Sequence, residues 1–461
     1  MSAVRLTATP ATKTWPHWLL WLSTLLGFSW PMMHSVALRY TLLTILLIAC
    51  VVLYRRSITN RRLSTLLTTP AILYVLLSAW LLATVLFADN PLNSLSQYRS
   101  EWMMGFIAMT IGVLLAKLAD SNHETGLNRI KLLVSVSLAL TLPVLVQGGQ
   151  SLLFAVQHHT LPGWDVSLFG RTSLSFVHNI LYGLLLADAL ARISRRRRLL
   201  PLSNFALQVA FVLSFFCTYL LNTRNGTIGV LVITLFAALI AWYQHRQHIN
   251  NGLLAAIAFV MLLAMVGYAK VSYDAEPRWA AFGESTRLAL DTRHQKAWLD
   301  HRIPLPRMTN GLQVDHSAYM RIAWFKEGAL AIVDYPLGVG FGQNAFGQAL
   351  QRKYGEGHGH SHSHSGMIDF ALSSGIPGLL LWLGFSASLW RLGARAYFEQ
   401  RDAVGMALIM LVAGLLLRMV LDSNLRDHGL QQYLFLIGLL ATLAASTMAP
   451  APHEVNQHAR G

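Results

Sequence analysis

Twelve apolar stretches constrain what this chain can fold into. They run at roughly 18–33, 35–54, 71–88, 102–119, 131–155, 173–191, 203–222, 226–243, 252–269, 367–390, 404–421 and 429–447. Hydrocarbon offers no partner to a backbone N–H or C=O. A segment that crosses a bilayer therefore closes its own hydrogen bonds as a helix of about 20 residues, or joins a closed barrel. These stretches are continuously apolar rather than alternating with period two, so they read as helices. Composition agrees: 54% of residues are hydrophobic and 12% charged, against about 25% charged in a soluble domain. The expected fold class is an all-α polytopic membrane protein with about 12 transmembrane helices. Pro143 inside the fifth stretch predicts a kink. The first stretch lacks a small-residue cleavage site and reads as a retained span rather than a signal peptide. Cys50 and Cys217 both fall inside apolar stretches, which leaves no disulfide framework and no thiolate metal site.

The formal charge of +15 is explained by topology rather than by a nucleic-acid partner. Lys and Arg collect in connections that stay on the cytoplasmic side. With the N-terminus inside, those connections hold Arg55, Arg56, Arg61, Arg62, Lys117, Arg129, Lys131, Arg192, Arg195 to Arg198, Arg246, Arg391, Arg395 and Arg401. Outside one long loop, the opposite face carries only Arg39, Arg99, Arg171, Arg224, Arg418 and Arg426. Both termini are thus expected in the cytoplasm, in the cell inner membrane. The organisation reads as spans one to nine over residues 1–269, a periplasmic loop over 270–366, spans ten to twelve over 367–448, and a cytoplasmic tail over 449–461. Loops longer than about 60 residues are exempt from the charge rule. This loop is long enough for a few helices on the membrane surface but hardly for an independent enzyme domain. Residues 317–333 carry apolar residues at helical spacing, and the PLGVGFG stretch from Pro336 to Gly342 ends that helix. Its G-x-G-x-G neither follows a strand nor opens a Rossmann helix, so it reads as a flexible turn rather than a nucleotide cradle.

Topology sorts the polar residues. Arg224 stands at the outer end of the eighth span, where orphan N–H groups and the dipole favour an anion and a guanidinium can grip phosphate with two parallel hydrogen bonds. The competing reading is an arginine that snorkels to the headgroups. Arg321 lies on the loop helix, where a solvated or headgroup contact competes in the same way. Just before the tenth span, His358, His360, His362 and His364 alternate with Gly and Ser. A zinc site lacks carboxylate or cysteine partners at familiar spacing, a solvated loop is a second reading, and a general base is the third, since an unperturbed imidazole titrates near ~6.5. His364 is the best placed for that, at the membrane surface before an inward-running helix.

The run HSGMIDFALSSGIPGLLLWLGF from His364 resembles the signature of the O-antigen ligase and polymerase superfamily, with Gly375, Ile376 and Gly378 at the family's spacing. DYPLGVGFGQNAF resembles its upstream glycine stretch, TRNGTIGVLVITLF its arginine helix start, and MRIAWFKEGALAIV its Arg-plus-Trp loop helix. Ser365 stands where the family usually has Asn, which puts an amide contact there in doubt.

The resemblance implies a GT-C-like membrane glycosyltransferase, inverting and metal-independent, with no cofactor. It implies a glycan donor linked to undecaprenyl diphosphate, a lipid A–core hydroxyl as acceptor, and membrane lipids as surroundings. It makes His364 the general base and Arg224 and Arg321 the diphosphate ligands. Supporting candidates are His362, Arg171 with Asn179, Asp422 with Arg426, and Arg99 beside Tyr98. Asp422–Arg426 also reads as a hydrated ion pair, and Tyr98–Arg99 as interfacial belt residues. O-antigen polymerases and protein O-oligosaccharyltransferases share this donor chemistry. A secondary transporter would instead place ionisable residues at mid-depth of the spans; Asp188, Arg39 and Arg418 all fall close to span ends.

Overall fold

A computed structural model describes residues 17–57, 64–120, 127–160, 168–221, 223–245, 267, 270, 282–355, 360–423, 425 and 427–448. Every expected apolar run in this set is helical; all but residue 267 of the run at 252–269, and the tail at 449–461, lie outside the described residues. The helices are α1 (His17–Ser29), α2 (Val36–Ser57), α3 (Thr68–Thr84), α4 (Pro91–Gln97), α5 (Met104–Asp120), α6 (Arg129–His158), α7 (Arg171–Ile193), α8 (Asn204–Leu221) and α9 (Arg224–His245). They continue with α10 (Phe282–Leu290), α11 (His316–Asp334), α12 (Ala345–Tyr354), α13 (Gly366–Phe398), α14 (Ala403–Leu421) and α15 (Asp427–Ser446). Among the described residues nine stretches are long and apolar enough to cross a membrane. The chain is an all-helical, multi-pass membrane protein.

Side-chain caps explain several helix starts. The Asn128 side chain accepts from Lys131 N–H at 2.8 Å, Asp315 from Ala318 N–H at 2.8 Å, and Asp402 from Val404 N–H at 2.9 Å. Each satisfies one donor that the first turn leaves orphaned. Two features depart from the sequence expectation. α6 runs unbroken through Pro143, and the helical path breaks instead in α13 at Gly375, with φ 68° and ψ 179°. A six-residue π-turn, Tyr98–Met103, joins α4 to α5 and was not foreseen.

α7 and α15 are buried over most of their length, and the other spans pack around them. α5 and α15 approach closely because Gly112 faces the Phe435 carbonyl and Gly438 faces the Met109 carbonyl, where a Cβ would collide. A second hydrophobic core lies outside this bundle. Trp298, Tyr319, Trp324 and Phe346 from the 282–354 segment pack with Ile368 and Leu372 of α13. The loop is therefore a small helical module seated on the end of the bundle. Its helix α11 matches the expected 317–333 closely.

The glycine stretch at 336–342 is a turn, as expected, but it is packed rather than loose. Gly338 and Gly340 adopt φ 85° and 112°. Val339 N–H donates to the Leu372 carbonyl at 2.8 Å, and Ile376 N–H donates to the Pro336 carbonyl at 2.8 Å. The turn thereby satisfies backbone groups that the Gly375 break exposes. At the opposite end, which holds the basic connections, Arg129 pairs with Asp402, and Arg196 donates to the Tyr397 carbonyl while lying 4.1 Å over its ring.

Candidate active site

His364 sits in the last turn before α13 and has φ +59°, the left-handed region that costs a side-chain-bearing residue about 1–3 kcal/mol. The serines that alternate with the histidines hold that turn. Ser363 N–H donates to Asp369 Oδ1 at 2.8 Å, and Ser365 N–H donates to Ser363 Oγ at 3.1 Å. Ser365 Oγ donates to the Met419 carbonyl at 3.2 Å, and Gly366 N–H to the Asp422 carbonyl at 2.9 Å. Ser365 thus spends its hydroxyl on the end of α14. The half-buried His364 ring stacks on Trp324, with centroids 5.4 Å apart and planes 16° apart. The Trp324 N–H is in turn fixed to the Trp298 carbonyl at 3.0 Å. His360 packs on the same indole at 4.8 Å, and His362 meets the His364 ring at 4.3 Å.

Arg321 lies on α11 one turn before Trp324, and residues three apart on a helix share a face. It is half-buried and has no hydrogen bond or ion pair among the described residues. A second arginine, Arg418, lies within its electrostatic reach. Arg418 is 2% exposed. Its Nη2 donates to Ser175 Oγ at 2.6 Å and to Asp422 Oδ2 at 3.1 Å. Asn179, with its amide oxygen toward Arg418, accepts from Nη1 at 3.0 Å and donates to the carbonyls of Gly226 (3.1 Å) and Ser175 (3.2 Å). Among the described residues the Arg418 Nε has no partner.

The start of α9 closes this arrangement. Asn225 reaches the Leu421 carbonyl at 3.4 Å, and a Cβ at Gly229 would overlap the Asn179 amide. Arg224, the first residue of α9, is therefore carried to the ends of α7 and α14, although its side chain lies outside what the structure describes. Arg171, the first residue of α7, is buried at the same end. The starts of α7 and α9 and the Arg418 guanidinium meet here, with Asp422 the carboxylate paired to Arg418. The balance favours an anion.

The structure thus brings together His364, His362, Arg321, Asn179, Asp422 and the backbone of Arg224. Arg99 is exposed on the π-turn, and among the described residues no contact joins it to this cluster. Arg426 and His358 lie outside the described residues. Among the described residues no group of three His, Cys, Asp or Glu side chains could hold a metal ion.

Three members of the cluster were not singled out from sequence. Arg418, weighed there only as a residue near a span end, pairs with Asp422 at the i,i+4 spacing, which was a usable signal. Ser175 and Asp369 carried none, because their partners come from distant segments. Beside the His364 turn, a cavity of about 30 Å³ is lined by Glu101, Gln343, Gly366, Asp369, Phe370 and Ser373, with room for a water. The Gln343 amide donates to Glu101 across it.

No curated protein matches the chain. Residues 209–383 match the family model described as O-Antigen ligase. That segment contains the start of α9, the loop module, the glycine turn and the His364 turn through the Gly375 break. Over this segment the chain is similar to the O-antigen ligase family, whose members are glycosyltransferase-type ligases and polymerases.

Proposed function

We propose that the protein is an O-antigen ligase that transfers a glycan from undecaprenyl diphosphate to a sugar hydroxyl of lipid A–core, with inversion and without a metal ion. The observation that carries this reading is the His364 ring held in a left-handed turn against Trp324, one helical turn from Arg321, which has no ion pair among the described residues. Arg321 and Arg224 bind the diphosphate. As the acceptor oxygen attacks the anomeric carbon, His364 takes the hydroxyl proton. The bond from that carbon to the phosphate oxygen breaks, and the electron pair leaves with undecaprenyl diphosphate. The proton is later lost from His364 to water.

Diphosphate is already a good leaving group, so the enzyme's work is deprotonation and neutralisation of charge growing on the phosphate. Each well-placed donor contributes a few kcal/mol to that. Both termini are cytoplasmic in this reading, and the His364 end of the bundle faces the periplasm, where lipid-linked glycan and acceptor meet. The test is transfer in vitro with purified protein, lipid-linked donor and lipid A–core. Turnover should persist in excess chelator. Loss in chelator that zinc restores would overturn the metal-independent reading.

A further inference from the structure

We propose that Asp369 is the positioning residue that holds the His364 turn in register with the end of α14; this rests on His364 acting as the base. Asp369 lies on the first turn of α13, five residues after His364. A carboxylate there would ordinarily be explained by the positive end of the helix dipole. Its bonds point elsewhere. Oδ1 accepts the Ser363 N–H at 2.8 Å, and Oδ2 accepts the Ser423 hydroxyl at 2.5 Å. One side chain therefore ties the residue before His364 to the residue after Asp422.

The backbone amide of Asp369 also donates to the Ser365 carbonyl at 2.9 Å, so the residue grips the turn from both sides of His364. The N-cap residue Ser365 makes no side-chain cap, having spent its hydroxyl on Met419. Nothing else described links Ser363 to the 422–423 segment through a side chain. Bonds to an ionised acceptor are the stronger kind. A left-handed histidine stays in place only if its surroundings over-determine it. Asp369 supplies that constraint and connects it to Asp422, the partner of Arg418. A shift of about 1 Å between base and anion site costs on the order of 100-fold in rate.

The test is Asp369→Asn, which keeps the size but cannot accept from both donors. It is measured for kcat and for KM toward donor and acceptor, beside Ser423→Ala, the double variant and His364→Ala. We expect kcat of Asp369→Asn to fall about 30-fold or more with both KM values within about threefold. Ser423→Ala should lower kcat by a smaller factor, and the double variant should be no worse than Asp369→Asn, because both cut one tie. Wild-type kcat in folded Asp369→Asn overturns the proposal, as does a rise in acceptor KM at unchanged kcat, which would mean direct substrate contact. Should Asp369→Asn fail to fold, Ser423→Ala decides: lowered kcat at constant KM supports the tie, and wild-type kcat overturns it. Full activity in His364→Ala would sink the base reading separately.

Discussion

Two Arg–Asp pairs with buried carboxylates, each spanning one helical turn, mark the opposite ends of the bundle, and they are built differently. At the basic end, Asp188 is completely buried, and both its oxygens are used. Arg192 donates to Oδ2 through Nε (2.9 Å) and Nη2 (2.7 Å), while Leu199 N–H (2.7 Å) and Leu200 N–H (3.2 Å) donate to Oδ1. The same guanidinium goes on to Asn204 and the Leu202 carbonyl. This is a closed staple that folds the connection between α7 and α8. At the other end, among the described residues, Asp422 accepts one bond, from Arg418, whose Nε is left over, and Arg321 stands nearby with no hydrogen bond or ion pair. Equal chemistry at the level of a pair thus gives a satisfied structural joint in one place and a surplus of cationic donors in the other. The surplus is where an anionic ligand gains most, since it fills valences that the fold leaves open.

The comparison can be broken by substitution. Removing the proposed base, His364→Ala, should lower turnover by roughly 1,000-fold while donor binding persists; in cells, lipid-linked polymer should accumulate and lipopolysaccharide should lack O-antigen. Replacing Arg321 or Arg224 with Lys keeps the charge but loses the planar fork, and should cost on the order of 100-fold in kcat/KM; near-normal rates would reduce these residues to headgroup anchors. Trp324→Leu removes the surface on which His364 stacks and should cost about tenfold in kcat, as fits a stacking contribution of about 0.5–1.5 kcal/mol. Asp188→Asn is the counterpart at the other end. It should destabilise the protein by about 1–3 kcal/mol, read as a lower thermal midpoint, because the buried Leu199 and Leu200 amides and the half-buried Arg192 lose their charged acceptor. Turnover per folded molecule should not change. A kcat loss in stable Asp188→Asn would show that the two ends are not separable in function.

Much of the architecture was legible because a bilayer leaves a chain few choices. Long apolar runs, basic connections and one long loop are strong signals, and α11 fell almost where its periodicity put it. The helix α6 runs on through Pro143. A span can carry proline when neighbouring groups take up the freed carbonyl, whereas Gly375 breaks its helix because its backbone is braced by the 336–342 turn. The glycines of that turn were taken for flexibility; their positions instead permit positive φ and close passage over α13. At the site, the candidates on helix starts and in the histidine run were readable from local pattern. Asp369, Ser175 and the centrality of Arg418 were not, because each depends on contacts between segments far apart in sequence, and a buried polar residue announces itself only once its partners are known.

The most direct measurement is a structure of the protein with an undecaprenyl diphosphate donor analogue bound. The account predicts both phosphates within hydrogen-bonding reach of the Arg321 and Arg224 guanidinium groups, with the anomeric carbon facing the His364 ring. A diphosphate seated at the basic end, against Arg195 to Arg198, or far from His364, would contradict it.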